Sequence, residues 1–586
     1  MCGIAGQYLM QQSEPSNSEW VQESIKRLIR RGPDSQNIRE LNNFTAVHTR
    51  LAIIDLTADA NQPFGDDDNL LVFNGEIYNY KELARDFRIA SLRTKSDTEV
   101  LFRLLLDEKP SQILSSLRGM FAFAYYQKKH NSLLLARDHV GQKPLFYGIH
   151  AGSLFFSSKA SHVFEAVGGD ISDLGLDQYQ KFQLNFSGVT LYNRVFELPP
   201  GHFLVVANGK IQVTRYWNPH EGGQQEKTDF EELSFLLRQA VDRTLISDVP
   251  VAATLSGGLD SSLVAGLARQ NHNLPLFHGR YAEEKDCDES QYAIRQSEFM
   301  KNVLNIVELS QDQFDRDFRN TILALDTPKA GPGAVGQFAV AREISQKYKY
   351  KVSIGGLGGD EIFCGYARYF LMDSSTYGFN ILKEYSGLKE KVAITSKYSN
   401  NLERYFALIS RQDQLELDNG SFRNSHAFQS FENWITKSMP DWKHMHPIKL
   451  AMIIDQLIVL PSLLHVEDGV GMFFGLEGRL PLVDVDLLEF ANRLHIKLHI
   501  STGPKSLLKI LAADYVHRSI LDREDKMGFP VPVDRWSANG NFRESLHYFR
   551  PLGAGPLSNR KIWGNASFQV FNEFYEIKKF DFDQKT

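Results

Sequence analysis

Cys2-Gly3 is the first place in the sequence where residue types alone suggest chemistry. If Met1 is removed, Cys2 carries a thiol and a free α-amine together. An amine of pKa about 8 is neutral often enough near pH 7 to take the thiol proton, so nucleophile and base would be one residue. A small residue is also simply tolerated at such a position. Asn74-Gly75-Glu76 follows the apolar run 70–73. An Asn side-chain amide beside a glycine N–H is a donor pair suited to a tetrahedral oxyanion, although Asn-Gly is also the commonest hairpin turn. Arg50 can fork onto a carboxylate. Asp97, in Ser96-Asp97-Thr98-Glu99, can hold an ammonium group or act as a helix cap.

A second kind of chemistry is written around residue 256. Ser256-Gly257-Gly258-Leu259-Asp260-Ser261-Ser262 lies between an apolar strand, 249–255, and a helix expected from Ser262. Free amides at a helix start favour an anion, and paired glycines let backbone close on phosphate. The Walker signature would end Gly-Lys-Ser/Thr; here Asp-Ser-Ser supplies no lysine, and Asp260 is suited instead to hold Mg²⁺ against a nucleotide. A plain strand-to-helix turn is the other reading of a bare Gly-Gly. Gly355-Gly356-Leu357-Gly358-Gly359-Asp360-Glu361 follows another apolar strand, 351–354, and Asp360 would bring a second carboxylate to a metal at Asp260 if the two turns meet at one sheet edge.

The elements that must position these groups divide in two. Residues up to about 216 alternate short apolar runs (44–47, 70–73, 121–125, 133–136, 154–156) with Gly, Asn and Pro turns, which predicts a sheet-rich unit covered by helices at 20–30 and 97–106. Residues 218–226 are polar, Gly-rich and aperiodic, the expected linker. From Phe230 a helix (230–244) leads into strands alternating with helices, which predicts a parallel sheet. Beyond 366 the pattern is mostly helical. The chain has 586 residues, 42% hydrophobic and 23% charged, which predicts several domains and excludes a disordered chain. A net charge of -6 argues against nucleic acid as a partner. Three cysteines without a CxxC pair argue against structural zinc or a disulfide scaffold and fit a reducing compartment. Residues 1–6 lack the features of a signal peptide, and 451–464 is interrupted by Asp455, Gln456 and Pro461, so a cytoplasmic protein without a membrane span is expected.

Taken together the motifs resemble the asparagine synthetase (glutamine-hydrolysing) family. The resemblance runs through Met1-Cys2-Gly3-Ile4, Arg31-Gly32-Pro33-Asp34, Arg50 to Asp55, Asn74 to Asn79, Ser96 to Glu99, Gly119 to Ala124 and Ala136-Arg137-Asp138. It continues through the loop at Ser256, the turn ending Asp360-Glu361, Gly475 to Pro481, Gly503 to Leu508 and Lys526 to Pro530. It implies an N-terminal αββα sandwich of the N-terminal-nucleophile hydrolase type (2–216), a linker (217–229) and a doubly wound, parallel-sheet ATP-pyrophosphatase domain with a helical extension (230–550). A tail, 551–586, carries no functional signal. By the same resemblance Cys2 attacks glutamine and releases ammonia, Asn74 and Gly75 stabilise the oxyanion, and Arg50 with backbone at Leu51, Ala52, Ile53 and Ile54 binds the glutamine carboxylate. Glu76 and Asp97 would hold its amino group. Leu255, Ser256, Gly257, Gly258, Leu259, Asp260, Ser261, Gly279, Gly355 and Gly356 would bind ATP, Asp260 and Asp360 would hold Mg²⁺, and Lys505 would neutralise the α-phosphate as pyrophosphate leaves. The implied partners are glutamine, ATP and a small carboxylate, aspartate by default, with a homodimer as a possible assembly and an apolar internal passage for NH₃.

Three positions depart from the family pattern. Leu357 replaces a Glu linked to forming the β-aspartyl-adenylate, Gly355 and Gly359 replace serines, and Val466-Glu467-Asp468 stands where Val-Asp-Arg is common. These departures leave the reaction type intact and open the acceptor to other carboxylates, such as a sugar uronate or a biosynthetic intermediate. A non-catalytic sensor of glutamine or nucleotide is the remaining alternative. A glutaminase or phosphoribosyl amidotransferase would not need the loop at Ser256.

Overall fold

The computed structural model describes residues 2–10, 17–107, 109–220, 229–376, 392–393, 396–411, 417, 419–523, 531–538 and 559–585. Two six-stranded antiparallel sheets fill the first 215 residues. In one, the order is Val195–Glu197, Phe146–His150, Ser153–Ser157, Gly3–Leu9, Phe44–Arg50, Ser35–Leu41. In the other it is Lys210–Arg215, His202–Ala207, Ser132–Arg137, Gly119–Gln127, Asn69–Ile77, Phe64–Gly65. Alternating side chains of both sheets, among them Ile4, Phe44, Val72, Ala122, Tyr126 and Leu135, are buried in one apolar layer between them. Helices Ser18–Leu28 and Ala160–Val167 lie on the first sheet, and Asp97–Asp107 on the second, completing the αββα sandwich.

The second half carries a five-stranded, wholly parallel sheet in the order Leu304–Glu308, Leu276–Arg280, Val251–Thr254, Val352–Ile354, Glu477–Arg479. The chain order reverses at Val251–Thr254, so the loop after that strand opens at the switch point where ligands of such sheets collect. Helix Phe230–Thr244 forms as its spacing predicts, with Asp229 accepting from the amides of Glu231 and Glu232.

Several local expectations need correction. Asn74-Gly75-Glu76 is not a turn after a strand; the strand runs from Asn69 through Ile77, and its pairing with Gly119–Gln127 keeps these residues extended. The helix after the nucleotide-type loop starts at Leu259, so Asp260 lies in its first turn. Pro461 does not interrupt the apolar stretch: Pro447–Met472 is one helix of 26 residues. By length and hydropathy it could cross a membrane, but 67% of its most apolar window is buried inside the protein against helices Gln311–Leu325 and Gly333–Arg342, so it is a core helix here. The Lys526 to Pro530 motif lies outside the described residues, as do most of the expected linker and residues 551–558. The tail helix Asn559–Lys585 packs on helix Ala160–Val167, and the Tyr179 hydroxyl donates to the Gly564 carbonyl at 2.8 Å.

Candidate active site

Cys2 sits at the open end of strand Gly3–Leu9. Pairing of Gly3 with Thr49 sets it beside Arg50. Its amide nitrogen donates to Asn74 Oδ1 at 3.1 Å. Burial pushes the thiol up. Asn74 is fully buried, and its Nδ2 has no hydrogen-bond partner among the described residues. A buried amide donor left unpaired costs stability unless a ligand fills the gap, so this N–H₂ marks where an oxygen is expected. Gly75 has φ +152°, and a Cβ there would collide with the Met120 carbonyl, so only glycine lets the two strands close at this point.

Arg50 is buried and heavily engaged: Nη1 donates to the Thr57 carbonyl (2.7 Å) and Asn61 Oδ1 (2.8 Å), and Nη2 to the Ile54 and Asp55 carbonyls. It therefore shapes the loop carrying Leu51, Ala52, Ile53 and Ile54. The loop is held from outside as well. Asp34 accepts from the Ala52 amide at 2.7 Å while pairing with Lys351 at 2.7 Å, and Asp248 receives the Asp55 amide at 2.8 Å.

Glu76 and Asp97 lie near enough to act on each other electrostatically. Asp97 Oδ2 accepts from the Ile77 amide at 2.9 Å, and burial pushes its pKa up to about 6. Glu76 is pushed well above the usual carboxylate range, first by burial, then by Glu477 and Asp97. Its Oε1 lies 3.5 Å from Arg479 Nη2, and its Oε2 has no hydrogen-bond partner among the described residues. Arg479 is bonded to Glu477 at 2.6 Å and to the Thr244 carbonyl at 2.9 Å. Glu477 and Arg479 belong to the last strand of the parallel sheet, so the floor of the first site is built by the second half. Nothing but their place in the motif Gly475 to Pro481 could have signalled this.

A second buried tie runs beneath Cys2. Arg31 donates by Nε to the Cys2 carbonyl at 3.1 Å and grips Asp468 through Nη1 (2.7 Å) and Nη2 (3.2 Å). Lys143 reaches the same carboxylate at 3.6 Å. One buried apolar cluster includes Leu51, Ile53 and Met120 near Cys2 and also Leu255, Leu464 and Leu480 near the nucleotide-type loop.

In that loop Gly257 takes φ +80°, and the Ser256 and Ser261 hydroxyls lie 2.9 Å apart, folding residues 256–261 over the start of helix Leu259–Ala268. The Leu255 amide donates to the Phe277 carbonyl at 2.8 Å, tying the loop to the strand that carries Gly279. The second glycine turn presses against it: a Cβ on Gly356 would lie 2.6 Å from the Asp260 carbonyl carbon, and Gly355 donates its amide to the Arg479 carbonyl at 3.0 Å. Lys505 Nζ joins the two carboxylates, 2.5 Å from Asp260 Oδ2 and 2.7 Å from Asp360 Oδ1. Two carboxylates converging on one cation are the oxygen set Mg²⁺ takes beside phosphate oxygens, so the residues present fit that ion. A single cavity is lined by Ser256, Gly258, Asp260, Ser261, Gly279, Asp360, Leu357 and Glu467.

Two family models match the chain: a glutamine amidotransferase domain over residues 1–217 and asparagine synthase over residues 232–550. An asparagine synthetase (glutamine-hydrolysing) 1 of Bacillus subtilis is 28% identical, covering 92% of this chain and 88% of its own. Asparagine synthetase (glutamine-hydrolysing) 3 of the same organism is 26% identical over 88% and 86%. Amidase chyE of Penicillium rubens is 25% identical over 86% and 84%. The chain belongs to the asparagine synthase family and is a glutamine-hydrolysing carbon–nitrogen ligase of that type, with ATP as a substrate.

Proposed function

We propose that Cys2 releases ammonia from glutamine and that the nitrogen amidates a carboxylate which ATP has adenylylated at the loop 255–261, yielding AMP, pyrophosphate and glutamate. The observation that carries this reading is the convergence of Lys505 on Asp260 and Asp360 beside that loop, in a molecule whose Cys2 bonds Asn74 Oδ1 while Asn74 Nδ2 has no partner among the described residues. In the first half reaction Cys2 Sγ attacks the amide carbon of glutamine. The α-amine of a mature Cys2 takes the thiol proton and passes it to the departing nitrogen, while Asn74 Nδ2 and the Gly75 N–H hold the oxyanion. Water then hydrolyses the thioester. Arg50 orders the loop 51–54 around the glutamine carboxylate, and Glu76 and Asp97 face its ammonium.

In the second half reaction the acceptor carboxylate attacks the α-phosphorus and pyrophosphate departs. Asp260 and Asp360 would hold Mg²⁺, which supplies charge neutralisation to the phosphates, and Lys505 offsets charge at the α-phosphate. Ammonia crosses the shared apolar cluster as neutral NH₃. We divide the chain accordingly into 2–216, a connector 217–229 and 230–550, and place the enzyme in the cytoplasm. Aspartate is the acceptor the family resemblance implies; Leu357, where the family pattern has Glu, supports a second reading with another carboxylate. Pyrophosphate release with glutamine, ATP and a panel of carboxylates tests the proposal. Acceptor-dependent release is expected, and none with any acceptor while glutamine is hydrolysed would refute it.

A further inference from the structure

The cavity has two sides, set by the strand order. The strand carrying Gly279 lies on one flank of the loop at Ser256; strands Val352–Ile354 and Glu477–Arg479 lie on the other. Contacts to the first half gather on this second flank, through Asp468 with Arg31 and Arg479 with Glu76. Nitrogen from Cys2 must arrive there, so the acceptor must present its activated carbon there too.

The lining of that flank carries two carboxylates, Asp360, which is taken up by Lys505, and Glu467. Leu357, Val470, Leu476 and Leu480 line the same flank of the cavity. Gly478 faces Glu467: a Cβ there would lie 2.6 Å from Glu467 Oε1, so the glycine makes room for the carboxylate. Glu467 makes no hydrogen bond or ion pair with another described residue, and burial pushes its carboxyl up. The cations around it are committed. Lys143, whose charge acts on Glu467, and Arg31 both pair with Asp468; Lys505 pairs with Asp260 and Asp360; Arg479 pairs with Glu477 and Glu76; Arg280, on the far flank, pairs with Glu308 at 2.6 Å.

A dicarboxylic acceptor would bring a second acid group into this end with no uncommitted cation among the described residues to meet it. An acceptor with an amine would instead satisfy Glu467. We infer that the acceptor is a monocarboxylate with an apolar body and an amine, held by Glu467, rather than a dicarboxylic acid such as aspartate. The inference rests on the amidation reading above.

The test is pyrophosphate release by the full chain with glutamine, ATP and Mg²⁺, comparing succinate, L-aspartate and L-glutamate with amine-bearing monocarboxylates (β-alanine, 4-aminobutyrate, 5-aminovalerate) and amine-free ones (propionate, butyrate, pentanoate). The best amine-bearing monocarboxylate should exceed L-aspartate in kcat/KM by about tenfold or more, the scale of an unpaired against a paired charge. Glu467→Gln should bring amine-bearing and amine-free acceptors to similar kcat/KM, and Glu467→Asp should keep the preference while raising KM. L-Aspartate as the best acceptor, or an amine preference that survives Glu467→Gln, overturns this inference alone. Release that no carboxylate stimulates, with glutamine hydrolysis intact, overturns the amidation reading and this inference with it.

Discussion

Asn74→Ala separates the two half reactions most sharply. The substitution removes two things from one buried side chain. The first is the Oδ1 acceptor for the Cys2 amide at 3.1 Å, present with or without glutamine and worth about 1 kcal/mol. The second is the Nδ2 donor, which has no partner among the described residues and would gain one only when charge develops on the substrate oxygen. Loss of one such donor typically costs about 2.7–4 kcal/mol of transition-state stabilisation, a fall of about 10²–10³ in kcat. The first term acts on free and bound enzyme alike, so KM for glutamine should change by no more than about fivefold. The assay measures glutamate formation from glutamine beside pyrophosphate release driven by added ammonium chloride. Glutamate formation should fall by two to three orders of magnitude, about 10²–10³, with ammonia-driven release retained. A fall in kcat of less than about threefold would show that Asn74 does not meet the oxyanion, and equal loss of both activities would refute separate sites.

Asp260→Asn removes one of the two carboxylates meeting Lys505, and should abolish Mg²⁺-dependent pyrophosphate release while sparing glutamine hydrolysis; isothermal titration of Mg·ATP should show the lost affinity. Asp468→Asn leaves Arg31 and Lys143 buried without their shared anion, and should destabilise the fold by about 3–5 kcal/mol in chemical denaturation; a change under about 1 kcal/mol would mean that other groups neutralise those cations. Glutamine use should depend on pH through Asp97. Burial raises this acid to about 6, so it is ionised, and able to face an ammonium, only above that value. kcat/KM for glutamine should therefore rise with pH through about 6 and level off, and Asp97→Asn should remove that limb; a profile flat from about pH 5 to about pH 7 would contradict the assignment.

Which chemistries the chain carries is legible in its residues alone, because their signals are local. A cysteine at position 2, an Asn-Gly beside an apolar run, and a strand, glycine turn and helix with Asp-Ser-Ser each need only a few consecutive residues to be legible. Helix Phe230–Thr244 and the parallel character of the second sheet were legible for the same reason: spacing and alternation are local properties. What those residues face follows from the packing of distant segments. Asn74-Gly75, turn-like on its own, is held straight by nine paired positions with the strand Gly119–Gln127. Pro461, a local break signal, sits inside a helix that the surrounding core keeps whole. Arg31 meets Asp468 across 437 residues, and Arg479 reaches Glu76 from the far sheet. Burial and pairing of that kind depend on which surfaces the folded layers bring together, and no window of consecutive residues contains that information.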